Sequence, residues 1–402
     1  MTQQNLIHHG FHSITFPFSR SDERYMLKHF LNTTEGNTFF ETEKLAQSLF
    51  HMFPWCPSWK WHTTRIFVTK MYPPAHRLDK IALHMTEADR ENVLGQLMSA
   101  VLDMYTTGYA HRDLHAENIF FHENKVRLID YSFMERYTGA PPPFWESYDI
   151  TGAGLPSPYN TQHVCFLKQT FAASVSKTLQ ASLEDAKIAL QKELIKALTL
   201  ASVTFHSQGK RHLPSVFRPY SSFILPDLHI LPEKAQRNST RRLQQFGITV
   251  DDLENKTLLD LGSHCGGMIF ESQKLKPQHS LGVEFDDDKV HIAKKIAAFS
   301  HLKNVHFMQA DIDHITIADI NKADVVYCLS IVSHLKDPDR LYSLLGSVTK
   351  QLLLFEGNAR TNSSDVKMKL KAAGFKKVTF LGYCDDDAHP AYHCRPLFKA
   401  WK

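Results

Sequence analysis

From residue 257 to the end of the chain, short apolar runs recur at 257–261, 279–284, 305–310, 323–329, 351–356, 378–383 and 397–401, with helix-length segments between most of them. Runs this short and this apolar are what strands look like when helices cover both faces of a mostly parallel sheet. The pattern restricts this half to an α/β fold, and nothing like it occurs upstream. Residues 1–75 read as short strands around one helix at 42–52. A longer helix is predicted over 86–107, where Val93, Leu97, Val101 and Leu102 recur at helical spacing. Two short strands follow, at 118–122 and 126–129. The Gly/Pro run at 139–143 marks a loop, and helices resume near 164–182 and 183–204. Residues 206–256 read as a linker and one basic helix. A chain of 402 residues exceeds what one core usually organises, so two domains are expected, 1–215 and 216–402.

The α/β half opens on a candidate site. Residues 258–267 spell a strand that breaks into a glycine turn, with Asp260, Gly262 and Gly266, and then enters a helix. Glycine lets backbone approach a ligand without a Cβ in the way. Glu284 ends the next strand, where an acid can accept hydrogen bonds from ribose hydroxyls. His264 stands where a dinucleotide fold would have the glycine that meets pyrophosphate, which argues against NAD. The pattern resembles the class I methyltransferases. That resemblance, over about 218–402, implies S-adenosylmethionine as cofactor. It assigns Asp260, Gly262 and Gly266 to the first motif, Glu284 to the ribose and Asp311 to the adenine. Upstream, Tyr220 and Arg237 match a tyrosine and an arginine that reach the cofactor in one subgroup. Chemistry belongs at the end of the fourth strand, where His334 is the candidate base or acceptor-holding residue. The Asn/Asp-Pro-Pro-Tyr/Phe element used for methylating nucleobase amines is absent.

In the first half, residues 108–120 place Asp113 and Asn118 five apart, and Asp130 follows in Asp130-Tyr131-Ser132. Phosphoryl transfer needs an acid to orient a hydroxyl and further ligands for Mg²⁺ on the phosphates. The stretch resembles the eukaryotic-type kinase fold over about 10–205. The resemblance implies ATP and Mg²⁺, with Asp113 as catalytic base and Asn118 and Asp130 as metal ligands. Lys28 would bind phosphate and Glu43 would be its ion-pair partner, with Glu41 the alternate. The chain departs from the family in lacking a glycine-rich loop before Lys28 and in having Asp-Tyr-Ser for the third acid motif. His115 in place of lysine resembles small-molecule and sugar kinases. The expected architecture is therefore a bilobal protein-kinase-like α+β domain followed by a Rossmann-like α/β methyltransferase domain.

The pairing of activities resembles the bacterial O-antigen chain-terminating kinase/methyltransferase, which has the opposite domain order and a coiled coil. It implies an acceptor hydroxyl on a glycan or small molecule, phosphorylated and then methylated. The formal charge of +4, without aromatic interleaving around Arg237, Arg241 and Arg242, does not point to nucleic acid. Those arginines read as a solvated helix face plus one cofactor contact. No apolar run reaches the ~18 residues of a membrane span. There is no signal pattern at Met1-Thr2-Gln3-Gln4-Asn5, and six cysteines are scattered through the chain. A cytoplasmic location with reduced thiols is expected. Cys384, His389, His393 and Cys394 do not fit the spacing of a standard zinc module. They read, with Asp385, Asp386 and Asp387, as a surface loop.

Overall fold

The computed structural model describes residues 8–9, 12–20, 23–114, 116–136, 179–203, 218–359 and 361–402. It divides into two compact units, Met1–Glu193 and Leu194–Lys402. The boundary expected near 215 falls outside the described residues, as do the 139–143 loop, the 164–178 stretch and His115.

The N-terminal unit begins with an antiparallel sheet of β1 (His8–His9), β2 (Ser13–Arg20), β3 (Glu23–Phe30), β4 (Trp59–His62) and β5 (Ile66–Lys70), in the order β1-β2-β3-β5-β4. Among the described residues β1 pairs only with Ile14 and Thr15, so no described strand needs an N–H from Pro17 on that side of β2. The first helix runs over Thr34–Phe50, earlier than the expected 42–52. Its start is fixed by Thr33, whose side chain accepts the Gly36 N–H at 3.0 Å. Phe39 and Phe40 on this helix pack with Phe30 and Phe67 of the sheet. The helix Glu87–Thr106 follows, then β6 (Tyr109–Ala110), β7 (Ile119–His122), β8 (Lys125–Leu128) and β9 (Glu135–Arg136). β7 and β8 form a hairpin turned by Glu123 (φ 51°) and Asn124 (φ 60°), both left-handed as a tight hairpin turn requires.

The C-terminal unit takes in the end of the helix Leu179–Val203, then a small hairpin, β10 (Phe223–Ile224) and β11 (His229–Ile230), and the helix Ser239–Gln245. The predicted strands then appear as β12 (Thr257–Leu261), β13 (His279–Glu284), β14 (Val305–Gln309), β15 (Ala323–Leu329), β16 (Thr349–Glu356), β17 (Lys377–Tyr383) and β18 (Pro396–Trp401). They build one seven-stranded sheet, ordered β14-β13-β12-β15-β16-β18-β17. The first five pair in parallel. β18 inserts antiparallel between β16 and β17, which makes the sheet mixed. The two central strands are buried nearly throughout, Leu259, Leu261, Val326 and Cys328 among them, and belong to the main core cluster. Among the described residues no helix is long and apolar enough to cross a membrane.

Candidate functional site

In the C-terminal sheet the chain passes from β12 outward through β13 to β14, then returns to place β15 on the other side of β12. The reversal opens a crevice beyond the carboxyl ends of those strands, where ligands of open α/β sheets bind. A cavity of about 470 Å³ lies there, lined by Tyr220, Asp260, Gly262, Glu284, Asp311 and His334. Six residues singled out in the sequence are thus brought to one place. Gly262 takes φ 81°, and a Cβ on it would lie 2.3 Å from Ile331 Cγ2. Gly266, at φ 80°, lies outside the lining; a Cβ there would strike the Phe307 ring at 2.5 Å. Its role is to let the loop pass against β14.

Both carboxylates placed by the strand ends are pre-oriented by backbone. Glu284 accepts the His264 N–H at 2.9 Å and the Asp286 N–H at 3.1 Å, one on each oxygen. Asp311 accepts the Asp313 N–H at 3.0 Å and faces His314 Nδ1 at 2.9 Å. Burial raises the Asp311 pKa, but these hydrogen bonds and the His314 charge outweigh it and hold the carboxyl below its ordinary range. His334 closes the short turn Val332–His334 after β15. Burial, then Lys289 and Arg395, lower its pKa, so the imidazole is neutral at pH 7.

Residues 252–376 match the family described as Methyltransferase domain. The C-terminal unit carries a class I methyltransferase domain. Among curated proteins, the Ubiquinone biosynthesis O-methyltransferase of Acinetobacter baylyi is 24% identical over 99 residues, 24% of this chain. The chain therefore spans 41% of that relative's length. Among solved structures, the N-terminal domain of EvdMO1 with SAH bound shares 14% identity at a TM-score of 0.37, covering 52% of this chain and 96% of that one. Magnesium protoporphyrin IX methyltransferase (ChlM) from Synechocystis PCC 6803 with bound SAM shares 17% at a TM-score of 0.34, covering 40% and 78%.

The methyltransferase domain departs from the sequence reading at its arginines. Arg237, expected to reach the cofactor, does not line the cavity and is fully buried. Its Nε lies 2.7 Å from Asp386 and its Nη2 lies 3.0 Å from Glu356. The arginine that does line the cavity is Arg242, which donates from Nε to Glu356 at 2.7 Å. The solvated face expected for this helix is kept by Arg241, which pairs with Asp385 at 2.8 Å. Asp386 and Asp387, read as a surface loop, are buried because they receive Arg237. His264, Phe285 and Lys289 also line the cavity and were not singled out as ligand contacts. In the sequence, the clue to His264 was its place in the glycine turn.

Asp260 supplies a pH test of the methyltransferase domain. Burial, with Glu284 nearby and only partial relief from Arg242, pushes its carboxyl up to about 7. It is therefore substantially protonated at neutrality when the cavity is empty. A cationic ligand beside it favours the ionised form and expels that proton. Affinity for S-adenosylmethionine should rise from pH 5 to 7 and level off above. Calorimetry in buffers of different ionisation heat should detect proton release, and Asp260→Asn should abolish both effects.

A second cluster lies within the N-terminal unit. Lys28 Nζ sits 2.7 Å from Glu43 Oε1 and 2.8 Å from Asp130 Oδ1. Ser132 Oγ is 2.7 Å from the same Asp130 oxygen and 3.2 Å from Glu43. Glu41, the alternate partner, is exposed and pairs with Lys44. Burial would lower the Lys28 pKa, but Asp130 and Glu43 raise it overall; burial likewise opposes Asp130, whose pKa Lys28 nevertheless pulls well down. Asn118 Nδ2 donates to the Asp113 carbonyl at 2.9 Å and faces its carboxylate at 3.3 Å. Arg112 (φ 64°) and Asp130 (φ 61°) both hold left-handed backbone, and such conformations concentrate at functional sites.

Within the Cys384–Cys394 segment, Cys384 and His393 bond locally. Cys384 Sγ faces the Tyr392 carbonyl at 3.2 Å and His393 Nε2 the Asp387 carbonyl at 2.7 Å. Among the described residues no group of three or more His, Cys, Asp and Glu is placed to hold a metal.

Proposed function

We propose that the methyltransferase domain binds S-adenosylmethionine in this cavity and transfers its methyl group to an acceptor held near His334. The observation that carries the reading is the charge of the wall: even with Asp260 substantially protonated, Glu284, Asp286, Asp311 and Asp313 outnumber Arg242, Lys289 and Lys336. An acid-rich wall attracts a sulfonium and an ammonium and repels the pyrophosphate of a dinucleotide. Each Glu284 oxygen, already holding one N–H, keeps a lone pair for a ribose hydroxyl. Neutral His334 is placed to take a proton or to orient the acceptor. Removing the ribose-bound carboxylate leaves hydroxyls unpaired at a cost of ~1–3 kcal/mol, so Glu284→Ala should bind S-adenosylmethionine roughly 5- to 150-fold more weakly. Unchanged affinity by calorimetry would overturn the assignment.

For the N-terminal unit we propose ATP- and Mg²⁺-dependent phosphorylation of a hydroxyl on a glycan or other small molecule. The observation favouring it is a half-buried lysine shared by Glu43 and Asp130. Asp130 and Asn118 offer oxygen donors that suit a hard cation. Bound there, Mg²⁺ would neutralise phosphate charge, Lys28 would hold phosphate oxygens, and Asp113 would orient the attacking hydroxyl. The alternative is a binding or regulatory module, for which the same cluster serves as a structural ion pair. ATP affinity separates the two. It should fall with chelator and in Asp130→Asn, and equal affinity in all three conditions would favour the module.

A further inference from the structure

We infer that Asn358 is a positioning residue that clamps the turn carrying His334 and so aims the imidazole into the cavity. The inference rests on the proposal that His334 stands on the acceptor side of that cavity, and adds what holds it there. A histidine that moves a proton or orients a substrate is usually itself oriented by a second group bonded to its ring. Among the described residues no group hydrogen-bonds the His334 ring. Its direction is therefore set by its own backbone, the short turn Val332–His334, in which the His334 N–H donates to the Ile331 carbonyl at 2.9 Å.

One side chain spans that turn. Asn358 Nδ2 donates to the Ser330 carbonyl at 2.7 Å, and its Oδ1 accepts the Ser333 N–H at 2.9 Å. Ser330 is where the chain leaves β15, and Ser333 directly precedes His334. Only an amide side chain offers a carbonyl oxygen and an NH₂ group together, so both ends of the turn are held at once. Asn358 is anchored in turn. The N–H of the preceding Gly357 donates to the Pro396 carbonyl at 2.9 Å, and the Asn358 carbonyl accepts the Thr361 N–H at 3.0 Å.

The first residue so held is strained. Ser330 takes left-handed backbone at φ 63°. Such a conformation persists only where the surroundings over-determine it. Here the Ser330 N–H donates to the Glu356 carbonyl at 2.8 Å, its hydroxyl donates to the Glu356 carboxylate, and its carbonyl is taken by Asn358. Asn358 itself lies outside the cavity lining, whereas Ser330 and His334 belong to it. It reaches the site through the turn alone. A support of this kind matters because a displacement of about 1 Å at a reacting group can cost about 10²-fold in rate.

The test uses the full chain and follows His334 by histidine-ring NMR, its signal assigned by its loss in His334→Gln. Burial, then Lys289 and Arg395, hold the His334 pKa below its ordinary value. In Asn358→Ala the freed turn should let the ring leave that setting, and its titration midpoint should rise toward that of an exposed histidine. Exchange of the Ser333 amide should quicken about tenfold as its acceptor is lost. S-adenosylhomocysteine affinity by calorimetry should change by less than about twofold, because no lining residue is altered. The variant should fold, since Asp313 still accepts the Lys336 N–H at 2.9 Å and the Asp337 N–H at 3.2 Å beyond the turn. Val366→Ala, a truncation of a fully buried side chain on the helix Ser363–Ala372, loosens the domain without touching the turn and should leave the His334 midpoint unmoved. An unchanged midpoint in Asn358→Ala would overturn the inference. So would an equal shift in Val366→Ala or a loss of S-adenosylhomocysteine binding in Asn358→Ala, since either would reduce Asn358 to a general structural role. If the unmodified chain did not bind S-adenosylhomocysteine, the methyl-donor reading would fall, and the His334 midpoint would still judge the clamp.

Discussion

An Arg237→Ala variant is expected to lose about 3–5 kcal/mol of stability in the C-terminal unit, the cost of breaking a buried ion pair by removing one partner. Arg237 and Glu356 are both fully buried, and so are the side chains of Asp386 and Asp387. Arg242 and Arg395 complete the group, the latter 3.4 Å from Glu356 and 3.6 Å from Asp387. Three arginines thus balance three carboxylates. Burial opposes the charge of Glu356, yet Arg242 and Arg237 outweigh it and bring the pKa down to about 2. Because that value is depressed, its contribution to stability is present above the ordinary carboxylate range and disappears as pH falls through about 2. Removing Arg237 strands Asp386 without its bidentate partner. Lysine at 237 should recover only part of the loss, because a single ammonium cannot span Asp386 and Glu356 as the guanidinium does. Native-state hydrogen exchange on the full chain should report the loss at the amides of β15 and β16. Protection equal to that of the unmodified protein would show the network to be energetically idle.

If the two proposed activities act in sequence, Asp113→Asn should stop methyl transfer to a hydroxyl acceptor without touching the methyltransferase domain. Loss of a positioned general base typically costs ~10²–10⁴-fold. Candidate glycans would be supplied with labelled methyl donor, with and without ATP. Methyl transfer should require ATP, fall by that factor in Asp113→Asn, and return when the variant receives an acceptor phosphorylated beforehand. A phosphate monoester is already nucleophilic, but its charge of about −1.5 to −2 near neutrality is opposed by the carboxylates of the cavity wall, so Lys289 and Lys336 would have to hold it. No strong base is then needed, which suits a neutral His334. Methyl transfer that ran equally well without ATP would end the coupled reading and leave two independent activities.

The α/β half was legible because its strands are short, apolar and regularly spaced. Each of β12 to β18 lies within two residues of its predicted position. Of the six candidate residues that converged, Asp260, Gly262, Glu284, Asp311 and His334 lie at or just beyond strand ends, where fold geometry dictates position, and Tyr220 precedes the sheet. The arginines were not legible. Arg237, Arg241 and Arg242 sit on one short basic segment, and local pattern cannot tell a solvated guanidinium from one buried against carboxylates more than a hundred residues later. The early start of the first helix was missed for a similar reason. Thr33 caps it, and a threonine followed by another threonine, Glu35 and Gly36 resembles a turn as much as a helix start. In the N-terminal unit the choice between Glu41 and Glu43 needed the packing, which turns one to solvent and the other onto Lys28.

The arginines around Glu356 also set how short this domain can be cut. The stretch recognisable as a methyltransferase runs from 252 to 376 and includes Glu356. Arg237 and Arg242 precede it and Arg395 follows it. A fragment trimmed to the recognisable stretch would keep the carboxylate at the heart of the sheet and discard every arginine that neutralises it, along with β17 and β18. The smallest piece that folds by itself must therefore be longer at both ends than the piece by which its ancestry is recognised.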